Sequence, residues 1–170
     1  KSKIKEKNYA YDKSVKLVLE SLAKFSPVLS EYADNVFKKK HVDSIIRSGK
    51  TVGAFCSTPS PKITPYVLVN FTGKSRDVFT LAHEIGHAIH SISASDKSIL
   101  VSDASLPLAE TASTFSEMLL YDKLSETVSK QEKKTMLSEK IDDFYATIGR
   151  QSFFTLFEIE AHKQIANSTT

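Results

Sequence analysis

The 170-residue sequence predicts a mainly α-helical chain with a small antiparallel β-hairpin, on three observations. Apolar residues recur at three- and four-residue steps over most of the length, the spacing of a helix with one buried face. In the middle the period changes, and two short runs rich in β-branched and aromatic residues flank a proline-bearing loop. Repeats and low-complexity tracts are absent, so the elements can be read in order.

Helical spacing covers residues 10–25 and, after Pro27, residues 30–48. Residues 51–56 and 65–71 read as an antiparallel pair, because Pro59, Pro61 and Pro65 bar helix between them. A third helix is expected over residues 76–94: Ser75 and Asp77 offer capping oxygens, and Val78, Leu81, Ala82, Ile85, Ala88, Ile89 and Ile92 form the apolar face. Further helices follow over residues 106–125 and 130–167. The aromatic stripe Phe144, Ile148, Phe153, Phe154 and Phe157 on the last of these reads as helix packing.

The third helix carries His83-Glu84-Ile85-Gly86-His87, an H-E-x-x-H motif. Two histidines four apart lie about 40° apart around a helix and ~6 Å apart along it, so both imidazoles can reach one tetrahedral ion. Glu84 falls on a neighbouring face, where a carboxylate can take a proton from water without being a ligand. The pattern predicts a site for one Zn2+ per chain, with His83 and His87 as ligands and Glu84 as general base. Gly86 weakens the helix by ~1 kcal/mol, which implies that a substrate or another backbone packs close there.

A catalytic zinc takes three protein ligands and leaves a fourth position to water. The third ligand is sought among His90, Asp103, Glu110 and Glu117. His90 lies a turn beyond His87 and reads as a group supporting the ligands or as a packed core histidine. Asp103, after a serine-rich stretch and before Pro107, reads as a loop or cap residue. Glu110 and Glu117 are seven apart on the next helix and face the same way, so one can bind the metal while the other accepts a hydrogen bond from a ligand histidine's free ring N–H. The small residues around Glu110 suit a close helix–helix approach, and no positive charge precedes Lys123 on this helix.

The stretches Pro65–Phe71, Arg76–Ser91 and Ala109–Glu117 resemble the oligoendopeptidase F family of zinc metallopeptidases, relatives of thimet oligopeptidase. The likeness extends to Gly49–Phe55 and Arg150–Phe154 and covers roughly residues 40–165. It implies a zincin-like helical domain in which His83, His87 and Glu110 bind zinc, Glu84 is the base and Glu117 holds a ligand ring. It also implies cleavage of short, unstructured peptides inside a channel. The hairpin then has a use: an exposed strand edge can hold an extended peptide by backbone hydrogen bonds, with Gly53 and Ala54 allowing close approach. In that family, tyrosine and histidine side chains well downstream of the third ligand stabilise the oxyanion. Tyr121, Tyr145 and His162 are the late candidates in this chain, and none fits the family pattern. Residues 1–170 are therefore read as a single domain, a fragment of a larger helical catalytic domain; the start at Lys1 without methionine agrees.

Composition limits the alternatives. Apolar residues make up 41% and charged residues 25%, enough for a core of its own. The single cysteine, Cys56, excludes an internal disulfide and reads as a structural thiol rather than a nucleophile. With a net charge of +3 and no cluster of arginine with aromatics, nucleic acid is not an expected partner; Lys38-Lys39-Lys40 reads as a solvated helix face. No apolar run reaches the ~18 residues of a membrane span and the start lacks a signal-peptide core, so the expected location is cytoplasmic. The sequence leaves oligomeric state open. A metallocarboxypeptidase and a zinc-stabilised helical module without catalysis are the rival readings; Glu84 argues against the second, since a structural zinc site has no use for a base.

Overall fold

A computed structural model describes residues 7–167. They fall into two compact units that divide after Glu126. The first contains α1 (Tyr11–Phe25), α2 (Pro27–Lys38), β1 (Val42–Asp43), β2 (Phe55–Ser57), β3 (Tyr66–Leu68), α3 (Ser75–Ser93) and α4 (Leu106–Ser125). The second contains α5 (Lys130–Tyr145), a π-helical turn (Ala146–Arg150) and α6 (Gln151–Ala166). The fold is mainly α with a small sheet, as the periodicity predicts.

In the first unit, α1 ends at Ser26, whose extended backbone turns the chain so that Pro27 opens α2 in the first turn, where its missing N–H is harmless. Ser30 Oγ donates to the Leu19 carbonyl at 3.0 Å, tying the two helices together. Helix α2 stops at Lys38, ten residues short of the expected end at 48. Lys40 adopts φ 57°, a left-handed conformation that ends the helix and redirects the chain into β1. Of the three lysines 38–40 only Lys38 is helical; the amides of Lys39 and Lys40 close the helix end on the carbonyls of Asn35 and Phe37, and Lys39 Nζ donates to Thr64 Oγ1 at 2.7 Å.

The expected hairpin is one half of a three-stranded mixed sheet of order β1-β3-β2. Strands β2 and β3 are the antiparallel pair, with Cys56 opposite Val67, and β1 runs parallel to β3, with Val42 opposite Val67. The amides of Val67 and Val69 donate to the carbonyls of His41 and Asp43 at 2.8 and 3.0 Å, and the His41 ring stacks on Tyr66 at 4.0 Å. These pairings with a segment 25 residues away outweigh the helical spacing of residues 39–48.

Helix α3 occupies the centre. Its face Val78, Leu81, Ala82, Ile85, Ala88 and Ile89 is buried where α3 packs on α4, α2, α1 and the sheet, elements that bury Leu120, Leu124, Val36, Val18, Leu22 and Val67 of their own. Each valine, leucine and isoleucine among them contributes about 1.5–3 kcal/mol by leaving water, and each alanine less. Asp77 fixes the helix start from its third position: Oδ2 accepts from the Thr72 amide and hydroxyl, both at 2.6 Å, and from the Lys74 amide at 3.1 Å. Ser75 is the first helical residue and not the cap.

Gly86 is where α3 and α4 touch. A Cβ built on it would lie 2.7 Å from the Ser113 Cα, 2.7 Å from Ser116 Oγ and 2.8 Å from the Ala112 carbonyl oxygen. The close neighbour expected from this glycine is the backbone of α4, and Ser113 and Ser116 are buried in the contact.

In the second unit, Ser129 and Glu132 cap α5 reciprocally: the Glu132 amide donates to Ser129 Oγ at 3.2 Å and the Ser129 amide to Glu132 Oε2 at 2.8 Å. The aromatic stripe read as packing remains outside a core, with Phe144, Phe153, Phe154 and Phe157 all exposed. No helix among the described residues is long and apolar enough to cross a membrane.

Candidate metal centre

The packing of α3 on α4 brings His83, Glu84 and His87 to Glu110 and Glu117. His83 Nε2 lies 3.2 Å from Glu110 Oε2, and His87 Nε2 lies 3.7 Å from the same oxygen. One ligand atom from each of His83, His87 and Glu110 falls within 4.8 Å of the others. Bonds of ~2.0–2.1 Å in a tetrahedral shell require donor atoms about 3.3 Å apart, so this set fits zinc in spacing as well as in its N, N, O chemistry.

The supports around these three are specific. His83 Nδ1 donates to Glu117 Oε1 at 2.6 Å, which fixes the ring and leaves Nε2 turned to Glu110. Ser113 Oγ lies 2.9 Å from both the carbonyl and Oε2 of Glu110. This serine escaped the sequence reading, although its spacing of three from Glu110 on a helix could have flagged it. Gly86 sits between the two histidines on α3, so the backbone contact that it permits also sets the distance from the histidines to Glu110.

Glu84 is 6% exposed. Burial pushes its carboxyl up to about 7; protonated His83 opposes the shift, and the charges of Glu110 and Glu117 reinforce it. For His83, burial lowers the pKa, but the Glu117 hydrogen bond and the charges of Glu117, Glu84 and Glu110 outweigh it, and the net shift is upward. His87 moves down, by burial and by the charges of His83 and His90, against the pull of Glu110 and a hydrogen bond to the Ala109 backbone. Burial, with the Glu84 charge beside it, pushes the Cys56 thiol up to about 12, so it is no thiolate nucleophile at neutral pH.

A cavity of about 590 Å³ opens over these groups. Its walls include His83, Glu84, His87 and Glu110, the β2 segment Ala54, Phe55, Cys56 and Thr58, and the start of α4. His90 and Asp103 also line it, Asp103 from the loop before α4 as expected. Neither belongs to the convergent set of three ligand atoms. Ala54 faces the cavity, while Gly53 adopts φ 85° with nothing within 4 Å of where its Cβ would be. Thr58 Oγ1 donates to Ser91 Oγ at 2.9 Å and pins the end of β2 to α3. Tyr121 contributes no wall to the cavity; Tyr145 and His162 belong to the second unit.

This combination of helices, sheet and convergent donors has counterparts. The chain is 34% identical over 157 residues to the chromosomal oligoendopeptidase F of Lactococcus lactis subsp. cremoris, an alignment that covers 91% of this chain and 26% of the relative. It is 35% identical over 162 residues to an oligoendopeptidase F homologue of Borreliella burgdorferi, covering 92% of this chain and 27% of the relative. The crystal structure of a candidate peptidase from Chlamydophila abortus superposes with a TM-score of 0.79 at 33% identity, covering 97% of this chain and 28% of that one. The chain thus spans about a quarter of the length of the curated relatives it matches. The sequence profile of Peptidase family M3 matches residues 6–170, nearly the whole chain. On a match of that extent, with the site geometry in agreement, the chain belongs to Peptidase family M3.

Proposed function

We propose that this chain is the metal-bearing part of a zinc-dependent endopeptidase that hydrolyses short peptides. The observation that carries the reading is the convergence of His83, His87 and Glu110 on one point in an open cavity, with a buried carboxylate, Glu84, beside it. His83, His87 and Glu110 would hold the ion, and Glu117 would keep His83 in the tautomer whose Nε2 is free to bind. When bound, zinc supplies Lewis acidity that polarises a carbonyl oxygen and acidifies water.

The protein's own groups perform the rest. Glu84, with a carboxyl near neutrality in its protein surroundings, can take a proton from water and return it to the departing amine. The β2 segment, last in the strand order and lining the cavity, offers backbone groups that can hold an extended peptide without regard to its sequence. Ala54 lies on that edge; Gly53 precedes it. His90, in the cavity wall, would favour the neutral, metal-binding form of His87 through its charge. Membership of a peptidase family supports peptides as the substrate class, and a cytoplasmic location and one zinc per chain complete the proposal.

The test uses the full-length protein and an internally quenched peptide blocked at both ends. Glu84→Gln should retain zinc and lose turnover by at least ~10²-fold, because the amide keeps the shape without the base. Loss of zinc in that variant would make Glu84 a ligand and sink the assignment. Cleavage only of peptides with a free C-terminus would favour the carboxypeptidase, and zinc binding with no hydrolysis in the wild type would favour a structural module.

A further inference from the structure

Strand β3 serves two neighbours, and its alternation shows which atoms of β2 stay free. Val67 and Val69 turn their amides to β1, donating to His41 and Asp43. Tyr66 and Leu68 therefore turn to β2, where their partners are Ser57 and Phe55. Cys56 lies between those two, so its N–H and C=O face the unpaired edge, and Ala54, two residues earlier, continues the same edge.

The start of this edge is not set by sheet pairing. Asn70 Nδ2 donates to the Gly53 carbonyl at 2.9 Å and to the Thr51 carbonyl at 3.0 Å, committing both of its amide hydrogens to one loop. In a trans peptide the carbonyl of one residue and the N–H of the next point in opposite directions. Drawing the Gly53 carbonyl toward Asn70, just beyond β3, therefore turns the Ala54 N–H to the open side. Nothing lies within 4 Å of where a Cβ would stand on Gly53, so the glycine is not there to admit a close neighbour; its left-handed φ of 85° sets the direction of these peptide planes. Lys50 holds the other end of the loop: its side chain is 2% exposed, and Nζ donates to the carbonyls of Asp43, Ile45 and Val69 at 2.9, 3.1 and 2.8 Å.

We propose that Asn70 is a positioning residue for the peptide: by holding the carbonyls of Thr51 and Gly53 it aims the Ala54 N–H and the free edge of β2 at the substrate backbone over the metal centre. The inference rests on the peptidase reading above. It assigns to Asn70 no contact with substrate or metal.

The test compares two ligands on the full-length protein. Acetohydroxamate can engage only a metal, whereas a peptidyl hydroxamate also needs the strand edge. Asn70→Asp keeps the side-chain shape but sets oxygens against both carbonyls; Asn70→Ala removes the donors without adding charge and serves if the aspartate variant fails to fold. Either variant should weaken the peptidyl hydroxamate by about 10–100-fold, the scale of a misplaced binding group. Acetohydroxamate should change by less than about 2-fold, since it touches nothing that moves. Hydrogen exchange gives a readout that needs no metal ligand: an ordinary peptide should slow exchange at the Ala54 and Cys56 amides in the wild type and not in the variants. Equal weakening of both hydroxamates, or unchanged peptidyl affinity, overturns the role of Asn70 while leaving the metal site intact. A wild type that binds neither hydroxamate overturns both the peptidase reading and this inference.

Discussion

Helices α3 and α6 are built from similar amounts of apolar side chain and end in opposite surroundings. The 19 residues of α3 bury Val78, Leu81, Ala82, Ile85, Ala88 and Ile89, whereas none of the 16 residues of α6 is buried, although it carries Phe153, Phe154, Leu156, Phe157 and Ile159. The arrangement of the residues accounts for it. In α3 the apolar positions share one face, and the opposite side is left for His83, His87 and their partners. In α6 they spread round the helix, the pattern of a segment enclosed on several sides.

The burial of the α3 face depends most directly on Gly86. Gly86→Val would drive carbon into the Ser113 backbone and the Ala112 carbonyl, and more than ~4 kcal/mol of destabilisation is expected, enough to remove the cooperative melt of the 170-residue chain. A melt like that of the wild type would show that α3 and α4 do not need their close contact. A sharper test sets one core residue against one from α6. Leu81→Ala should cost about 2–5 kcal/mol in chemical denaturation, and Phe157→Ser no more than about 0.5 kcal/mol. Equal losses would mean that Phe157 packs after all.

A smaller effect separates the two carboxylates of α4. Glu110→Ala should lower zinc affinity the more, by removing a donor atom; Glu117→Ala should lower it about 10–100-fold, by releasing the His83 ring. Competition with a chromophoric chelator reads both, and the reverse order would exchange the two roles.

Much of this arrangement was legible in the residues. The bounds of α3 follow from apolar spacing nearly to the residue, because that helix has a face that local periodicity records; α4 was read with the same bounds although its buried face is Ser113, Ser116, Leu120 and Leu124, half of it serine. The need for a close neighbour at Gly86 was also legible, though not which one. Spacing alone left four candidates for the third ligand, since the register of one helix on another is a property of side-chain packing across the contact; resemblance pointed to Glu110. Strand β1 was not legible at all. Val42 and Asp43 sit in a stretch with helical spacing, and they become a strand through bonds to Val67 and Val69, partners that no local pattern announces. The stripe in α5 and α6 was legible as apolar, but its burial depends on what faces it.

The wide turn at Ala146–Arg150 explains an oddity of that stripe. Phe144 and Ile148 are four apart, Phe153 and Phe157 are four apart, but Ile148 and Phe153 are separated by five. On an unbroken α-helix a five-residue step rotates the side chain by about 140°, and the stripe would split into two patches on different flanks. The i→i+5 hydrogen bonding of a π turn takes up the extra residue and lets the two halves run in phase. The turn thus works as a phase corrector: forcing its five-residue step into regular α winding would leave every side chain of the stripe present while dividing one continuous ridge into two, whereas deleting one residue would make the step four and remove the need for the turn.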